Sequence, residues 1–129
     1  MAATLPKSER LCGKSAIAGL LDRGRGGTGG CLRFRFLVRA DGADASRILI
    51  SVPKRSFKRA VRRNLLKRRI RESYRLQKQL LPVPVDVLFV YLPREVLPFA
   101  EIYASMTAVL SAIAARIDDG RVLQQPDIQ

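Results

Sequence analysis

Apolar positions recur with a helical period near the start of the chain and then with an extended period. A first helix is predicted over about residues 8–22, because its apolar residues fall on one side and Gly24 can end it. From Cys31 to Ala40, every second residue is apolar and most of the residues between are arginines, as in Leu32, Arg33, Phe34, Arg35 and Phe36. This period of two predicts a strand with one apolar and one largely basic face.

Two connections complete the first half of the chain. The glycine run Gly24–Gly30 lacks the Gly-Lys-Ser/Thr ending of a phosphate-binding loop and is predicted to be a flexible connection. Residues 41–45 contain Asp-Gly and predict a turn, so Arg47–Val52 is expected to pair with the preceding strand as a hairpin.

A long helix is predicted to follow Pro53, from about Ser56 as N-cap to Leu80. Leu66, Ile70 and Tyr74 recur every four residues and predict the face that packs on the sheet, with Val61 and Leu65 nearby. A second stripe is polar and mostly basic, and its residues are expected to face solvent: Asn64, Arg68, Arg71, Arg75 and Lys78.

The last part of the chain predicts one strand and one helix. Val85–Leu92 is mostly apolar and suits a central strand buried on both faces. A final helix over about residues 98–117 is predicted to turn six apolar residues toward the core: Ile102, Met106, Val109, Leu110, Ile113 and Ile117. Residues 118–129 are expected to form a flexible C-terminal tail, so residues 1–117 form a single domain.

Composition excludes several classes of protein. The chain has no histidine, and its acidic residues form no convincing pair, so its side chains offer no catalytic site and no metal site. Cys12 and Cys31 have neither a metal-binding nor a disulfide spacing and are expected to be reduced thiols. No apolar signal core is found at the start, and the longest apolar run is too short to cross a bilayer. A cytoplasmic protein is expected.

Charge is concentrated in one segment. Residues 54–78 contain twelve Lys or Arg and only one acid, Glu72, and they carry +11 of the formal net charge of +13. Like charges three or four positions apart on a helix repel one another, so this surface calls for an anionic partner. Arginine outnumbers lysine eight to four in the segment, which favours nucleic acid, because the guanidinium binds phosphate oxygens in pairs.

Two other interpretations remain open for this segment. A solvated basic face would need no partner, but such a face usually mixes charges of both signs. A membrane-surface helix would need an exposed apolar face beside the basic one, whereas the apolar face is expected to pack on the sheet.

The stretch from Arg47 to Arg75, RILISVPKRSFKRAVRRNLLKRRIRESYR, resembles the signature of the bacterial ribonuclease P protein component. Within this stretch, Leu65 stands where the family carries an arginine. The resemblance extends over about residues 8–117. The matching residues are Ser51, Val52, Lys54, Arg55, Ala60, Val61, Arg63, Asn64, Lys67, Arg68, Ile70, Arg71 and Glu72.

The resemblance implies a single small α+β domain with a four-stranded sheet packed against helices. The expected order is α-β-β-β-α-β-α, with the basic helix in a left-handed crossover between parallel strands. It implies a protein subunit that binds a catalytic RNA and the 5′ leader of precursor tRNA, and so assists removal of the leader. The alternative is a ribosomal or general RNA- or DNA-binding protein with no enzymatic role.

The resemblance also implies roles for individual residues and partners. The RNA-binding residues would be Lys54, Arg55, Arg63, Asn64, Lys67, Arg68 and Arg71. A cleft near Ile17, Leu21 and Phe36 would contact the leader. No cofactor is expected on the protein alone, magnesium is expected in the holoenzyme with its RNA, and one protein monomer is expected per RNA.

Overall fold

Three helices and four strands follow one another in the predicted α-β-β-β-α-β-α order. The computed structural model describes residues 9–11, 13–39 and 45–124, with side chains as far as Asp118. The predicted turn over residues 41–45 lies almost wholly outside them. The elements are α1 (Lys14–Arg23), β1 (Arg25–Gly29), β2 (Leu32–Val38), β3 (Arg47–Ser51), α2 (Ala60–Gln77), β4 (Val85–Tyr91) and α3 (Phe99–Gln124).

The strands form one mixed sheet in the order β1-β2-β4-β3. β2 pairs antiparallel with both β1 and β4, and β3 pairs parallel with β4. The predicted hairpin between β2 and β3 is therefore wrong. β4 lies between them, because its apolar residues suit the interior of the sheet better than an edge. The α2 connection between β3 and β4 is a parallel crossover, whose left hand stays a prediction from the family resemblance.

The glycine run is an edge strand and not the predicted loop. β1 forms a hairpin with β2 through Gly30, whose φ of +54° is in the left-handed region. The glycines are needed for close packing of α3. A Cβ at Gly29 would lie 2.8 Å from a methyl of Val109, and one at Gly30 would lie 2.3 Å from Ser105 Oγ. Sequence patterning missed the strand because glycine has no side chain to show a period of two.

The predicted core positions of α2 and α3 are confirmed. Leu66, Ile70 and Tyr74 of α2 are buried, and so are all six predicted residues of α3. They cover the sheet face that carries Phe34 and Phe36 of β2 and the odd-numbered residues of β4. The predicted burial of β4 on both faces is incomplete, because on its other face Asp86 is buried but Leu88 and Val90 are only partly buried.

Both long helices differ from the prediction at their ends. α2 begins at Ala60, with Arg59 at the N-cap and no side-chain cap. Ser56 lies in the preceding turn, where its N–H donates to the carbonyl of Pro53. α2 ends at Gln77 and continues as a short 3-10 helix, Lys78–Leu80. α3 runs to Gln124, past the predicted end at Ile117.

α3 also has the length and composition of a membrane-spanning helix over Phe99–Asp118. Its apolar side chains, however, pack on the sheet in the pattern typical of the core helix of a globular domain.

A buried ion pair connects β3 to β4. Asp86 is 6% exposed, and both of its carboxylate oxygens accept hydrogen bonds from Arg47, at 2.8 and 2.7 Å. Arg39, which follows β2, lies 3.9 Å from the same carboxylate. Since these residues come from three chain segments, the pair helps to specify which strands lie side by side.

Candidate nucleic-acid interface

The outer face of α2 carries the predicted polar stripe. Asn64, Arg68, Arg75 and Lys78 are exposed, and Arg71 is partly exposed. Val61, predicted near the packed face, is instead 79% exposed. The face opposite Leu66 and Ile70 is therefore open to a partner along most of the helix.

Ion pairs divide this stripe into two parts. Arg75 donates to both oxygens of Glu72, at 2.9 and 2.7 Å, and this hydrogen bonding lowers the pKa of Glu72. Lys78 Nζ lies 3.0 Å from Glu9 Oε1. The positive charges at the C-terminal end of α2 thus have acidic partners within the protein.

The described cations of the turn before α2 and of the middle of the helix form no such pairs. In the part of the chain that the structure describes, no ion pair involves Lys54, Arg55, Lys67, Arg68 or Arg71. Partial burial lowers the pKa of the Arg71 guanidinium, and the like charges of Arg10 and Arg68 lower it further. An anion bound here would relieve this repulsion.

Lys54 and Arg55 lie in the turn between β3 and α2. Both side chains are exposed. The turn is held by Phe57, which is buried and lies with its ring centroid 5.9 Å from that of Tyr91. The structure therefore leaves five predicted RNA-binding cations and Asn64 exposed or partly exposed along α2 and the turn before it.

Two arginines of α2 contact protein carbonyl groups. Arg63 Nη1 donates to the carbonyls of Phe57 and Lys58, at 2.7 and 3.0 Å. Arg69 Nη1 donates to the carbonyl of Leu97 at 2.5 Å. Sequence spacing could not separate these two arginines from those that face solvent, because their partners lie in loops outside the helix.

A cleft of about 340 Å³ lies on the sheet face opposite the core. Leu21 of α1, 52% exposed, lies at this cleft as predicted. α1 is fixed over the sheet by Arg35, whose Nε donates to the carbonyl of Leu20 at 3.2 Å. The cleft is lined by Leu21, Gly26, Gly27, Thr28, Arg33, Phe34, Arg35, Leu88 and Val90.

The other two predicted cleft residues do not line this cavity. Phe36 is 3% exposed and belongs to the core, so its assignment to the cleft is wrong. The physical reason is the strand alternation, which turns Phe36 to the same face as Val87 and away from Arg35. Ile17 is partly buried and is not among the lining residues. Arg33 and Arg35 were not predicted as site residues, although their period-two spacing already placed them opposite the phenylalanines.

The described residues contain no cluster of three or more His, Cys, Asp or Glu side chains that could hold a metal ion. Asp86 is committed to Arg47, and Glu72 to Arg75. The basic surface and the cleft therefore offer groups that bind anions and not groups that coordinate a cation.

Comparisons with known proteins identify the family. The sequence model of the Ribonuclease P family matches residues 5–114. The chain is 32% identical over 121 residues to the ribonuclease P protein component of Porphyromonas gingivalis, covering 88% of each chain. It is 45% identical over 62 residues to that of Thermotoga maritima, covering 48% of this chain and 50% of the relative.

Solved structures of ribonuclease P proteins are similar in fold to this chain. The ribonuclease P protein from Thermotoga maritima has a TM-score of 0.69 at 26% identity, covering 81% of this chain and 97% of that chain. The protein from Staphylococcus aureus has a TM-score of 0.72 at 23% identity, covering 82% of this chain and 95% of that chain. This likeness supports the fold alone. With a family match over most of the chain and a relative that aligns over nearly its whole length, this chain belongs to the ribonuclease P protein component family.

Proposed function

We propose that this protein binds the catalytic RNA of ribonuclease P and the 5′ leader of precursor tRNA, and so assists endonucleolytic removal of the leader. The observation that carries the proposal is a surface on α2 and the turn before it, whose cations form no ion pair with another described residue. We call this surface the α2 basic surface and define it as Lys54, Arg55, Asn64, Lys67, Arg68 and Arg71.

The α2 basic surface suits a folded RNA. Its guanidinium and ammonium groups can neutralise closely spaced phosphates and release their counterions. Arg68 and Arg71, one turn apart on the helix, can bind phosphates with paired hydrogen bonds. Asn64 adds a group that both donates and accepts, which suits a contact at a defined position.

The cleft suits a single strand. Arg33 is exposed and Arg35 partly exposed, so both can bind backbone phosphates, while Leu21, Leu88 and Val90 provide an apolar surface for bases. The aromatic residue in the lining, Phe34, is 2% exposed. The cleft would thus bind the leader with little preference for base sequence, since aliphatic contacts and phosphate contacts do not read base edges.

The chemistry would belong to the RNA. Hydrolysis of the phosphodiester would use magnesium ions held by the RNA, while the protein supplies positive charge and positions the leader. We further propose one protein monomer per RNA, in the cytoplasm.

Reconstitution tests this function. Leader cleavage is measured at low magnesium concentration with a bacterial ribonuclease P RNA alone, with the protein alone and with both. We expect cleavage to be strongest with both and absent with protein alone. Metal-dependent cleavage by RNA-free protein, or no effect of the protein on the RNA, would contradict the proposal.

A second measurement tests the cleft. The variant Arg33→Ala should weaken binding of precursor tRNA by the holoenzyme and leave binding of mature tRNA, which has no leader, at the parent level; Arg35 is kept because it fixes α1 over the sheet. Equal losses for both tRNAs would show that Arg33 does not contact the leader.

A further inference from the structure

The segment between β3 and α2 has no regular secondary structure and contains four positively charged side chains. We call residues 54–59 the cationic loop; its charged residues are Lys54, Arg55, Lys58 and Arg59, all exposed. Its first turn is closed by the carbonyl of Pro53, which accepts from the N–H groups of Ser56 and Phe57 at 3.2 Å each. The side chain of Phe57 anchors the middle of the loop in the core.

Arg63 holds the other end of the cationic loop. Its Nη1 group donates to two successive carbonyls, 2.7 Å to Phe57 and 3.0 Å to Lys58. Lys58 and Arg59 come directly before α2. The position of their backbone therefore depends on the conformation in which the loop joins the first turn of the helix. The partly buried Arg63 side chain lies across this entry and ties it to the first turns of the helix.

Arg68, on the same helix, differs from Arg63 in its contacts. It is exposed, and no hydrogen bond or ion pair joins its side chain to another described residue. Removing Arg68 would therefore remove a charge from the surface, whereas removing Arg63 would also release two backbone carbonyls of the cationic loop.

We propose that Arg63 is a positioning residue that prearranges the cationic loop for the RNA, and that it contributes to affinity through Lys54, Arg55 and Lys58 instead of as an independent phosphate ligand. The inference rests on the proposed RNA-binding function. A loop held in its bound arrangement loses less conformational entropy on association than a free one, so its cations bind more tightly. Arginine suits this role because its planar group can approach both carbonyls from one direction.

A double-mutant cycle tests the coupling. Arg63→Gln is made in the parent protein and in a loop-neutral protein carrying Lys54→Gln, Arg55→Gln and Lys58→Gln. Arg68→Gln is the matched control in both backgrounds. We expect Arg63→Gln to weaken binding of the ribonuclease P RNA on the order of tenfold in the parent and much less in the loop-neutral protein, as for residues that act through one another. Arg68→Gln should weaken binding by the same factor in both.

Hydrogen exchange of the free protein provides a measurement without RNA. The amides of Ser56 and Phe57 should exchange faster in Arg63→Gln than in the parent and at the parent rate in Arg68→Gln. If Arg63→Gln does not fold, Arg63→Lys, which keeps the charge and loses the planar group, is taken through both measurements.

The outcomes separate the two proposals. An equal loss from Arg63→Gln in both backgrounds, or unchanged exchange at Ser56 and Phe57, would overturn the positioning role and leave the RNA-binding function standing. Parent-level RNA affinity in both Arg68→Gln and the loop-neutral protein would instead overturn the proposed α2 basic surface, and with it the role of Arg63 in binding.

Discussion

At the scale of single residues, Asn64 stands out on the α2 basic surface because helix stability does not explain it. It is exposed on a helix whose neighbouring surface positions are mostly Arg and Lys. Asparagine is a poorer helix former than either, so a surface that needed only solubility or charge would gain nothing from it. A hydrogen bond to the RNA would explain its presence.

Asn64→Ala should therefore weaken RNA binding while leaving the fold intact. We expect a loss of about 1–3 kcal/mol in binding free energy if a buried hydrogen bond is removed. The thermal midpoint should stay level or rise slightly, since alanine is the better helix former. Both quantities are measured on the same preparations.

The control for this variant is Gln79→Ala, which removes an exposed uncharged side chain beyond the end of α2. Arg69→Ala is unsuitable as a control, because it would release the carbonyl of Leu97. Parent-level binding by Asn64→Ala, or a loss that only follows unfolding, would contradict a contact role.

Tyr74 gives a residue-scale prediction for stability in alkali. Burial, together with the nearby charge of Glu9, raises the pKa of its phenol from 10.0 to about 12. The folded state thus favours the neutral phenol. This contribution to stability is fully present below the unfolded pKa of 10.0 and is lost as the pH rises through about 12.

Urea unfolding at about pH 9 and about pH 11.5 checks this sign for Tyr74. The parent protein should lose more unfolding free energy between the two than Tyr74→Phe, which has no proton to release. Tyr91, whose pKa burial also raises, is present in both proteins and cancels in the comparison. An equal loss in the two proteins would exclude Tyr74 as a source of the pH dependence.

At the scale of elements, α2 combines a packed face with a surface of one charge. Leu66, Ile70 and Tyr74 attach it to the sheet, so tertiary packing offsets the repulsion between its arginines. The two ends of the helix differ, since Arg75 and Lys78 have acidic partners. Electrostatic binding should therefore depend mainly on the part of α2 before Glu72 and on the preceding turn.

The salt dependence of RNA affinity tests this division. If about six phosphates are neutralised, affinity should fall by roughly three decades between 50 and 200 mM salt. Arg68→Ala with Arg71→Ala should flatten the slope by about two units, one for each lost contact.

The matched control is Glu72→Gln with Arg75→Gln, which removes a cation and its partner and leaves the net charge unchanged. Its slope should equal that of the parent. A control slope reduced as much as that of the Arg68 and Arg71 variant would show that the whole helix binds phosphate without distinction.

At the scale of the whole molecule, the two faces of the sheet differ, since one belongs to the core and the other to the cleft that we propose binds the leader. One face packs against α2 and α3 and contains Phe36, while the other lines the cleft below α1 and Leu21. Side chains two positions apart along β2 share a face, and adjacent ones do not. Substitutions on the two faces should therefore have different consequences.

Phe36→Ala should cost about 3–5 kcal/mol of unfolding free energy, because it leaves a cavity in the core. Leu21→Ala, which truncates an exposed side chain, should change stability by less than about 0.5 kcal/mol and weaken binding of leader-bearing tRNA. Urea unfolding and binding of tRNA with and without a leader measure the two effects. A Phe36→Ala protein that keeps the stability of the parent and loses only leader binding would show that Phe36 contacts the leader and does not serve the core.

The amino-acid sequence by itself determined the order of the three helices and of β2, β3 and β4, the packed faces of α2 and α3, and the concentration of positive charge between Lys54 and Lys78. These features are local, because they depend on a period of two or 3.6 residues and on the identity of neighbouring residues. Periodicity does not provide the topology of the sheet. The resemblance to the family implies it, and the residues that carry this resemblance run consecutively from β3 into α2.

Only the tertiary structure decided which segments meet. It placed β4 between β2 and β3, made a strand of Arg25–Gly29 beneath α3, and turned Phe36 inward while Arg33 and Arg35 face the cleft. It also distinguished arginines of one helix by their partners: Arg63 and Arg69 bind backbone carbonyls, Arg75 binds Glu72, and Arg68 is open to solvent. These outcomes depend on contacts between residues far apart in the chain, and no local pattern records such contacts.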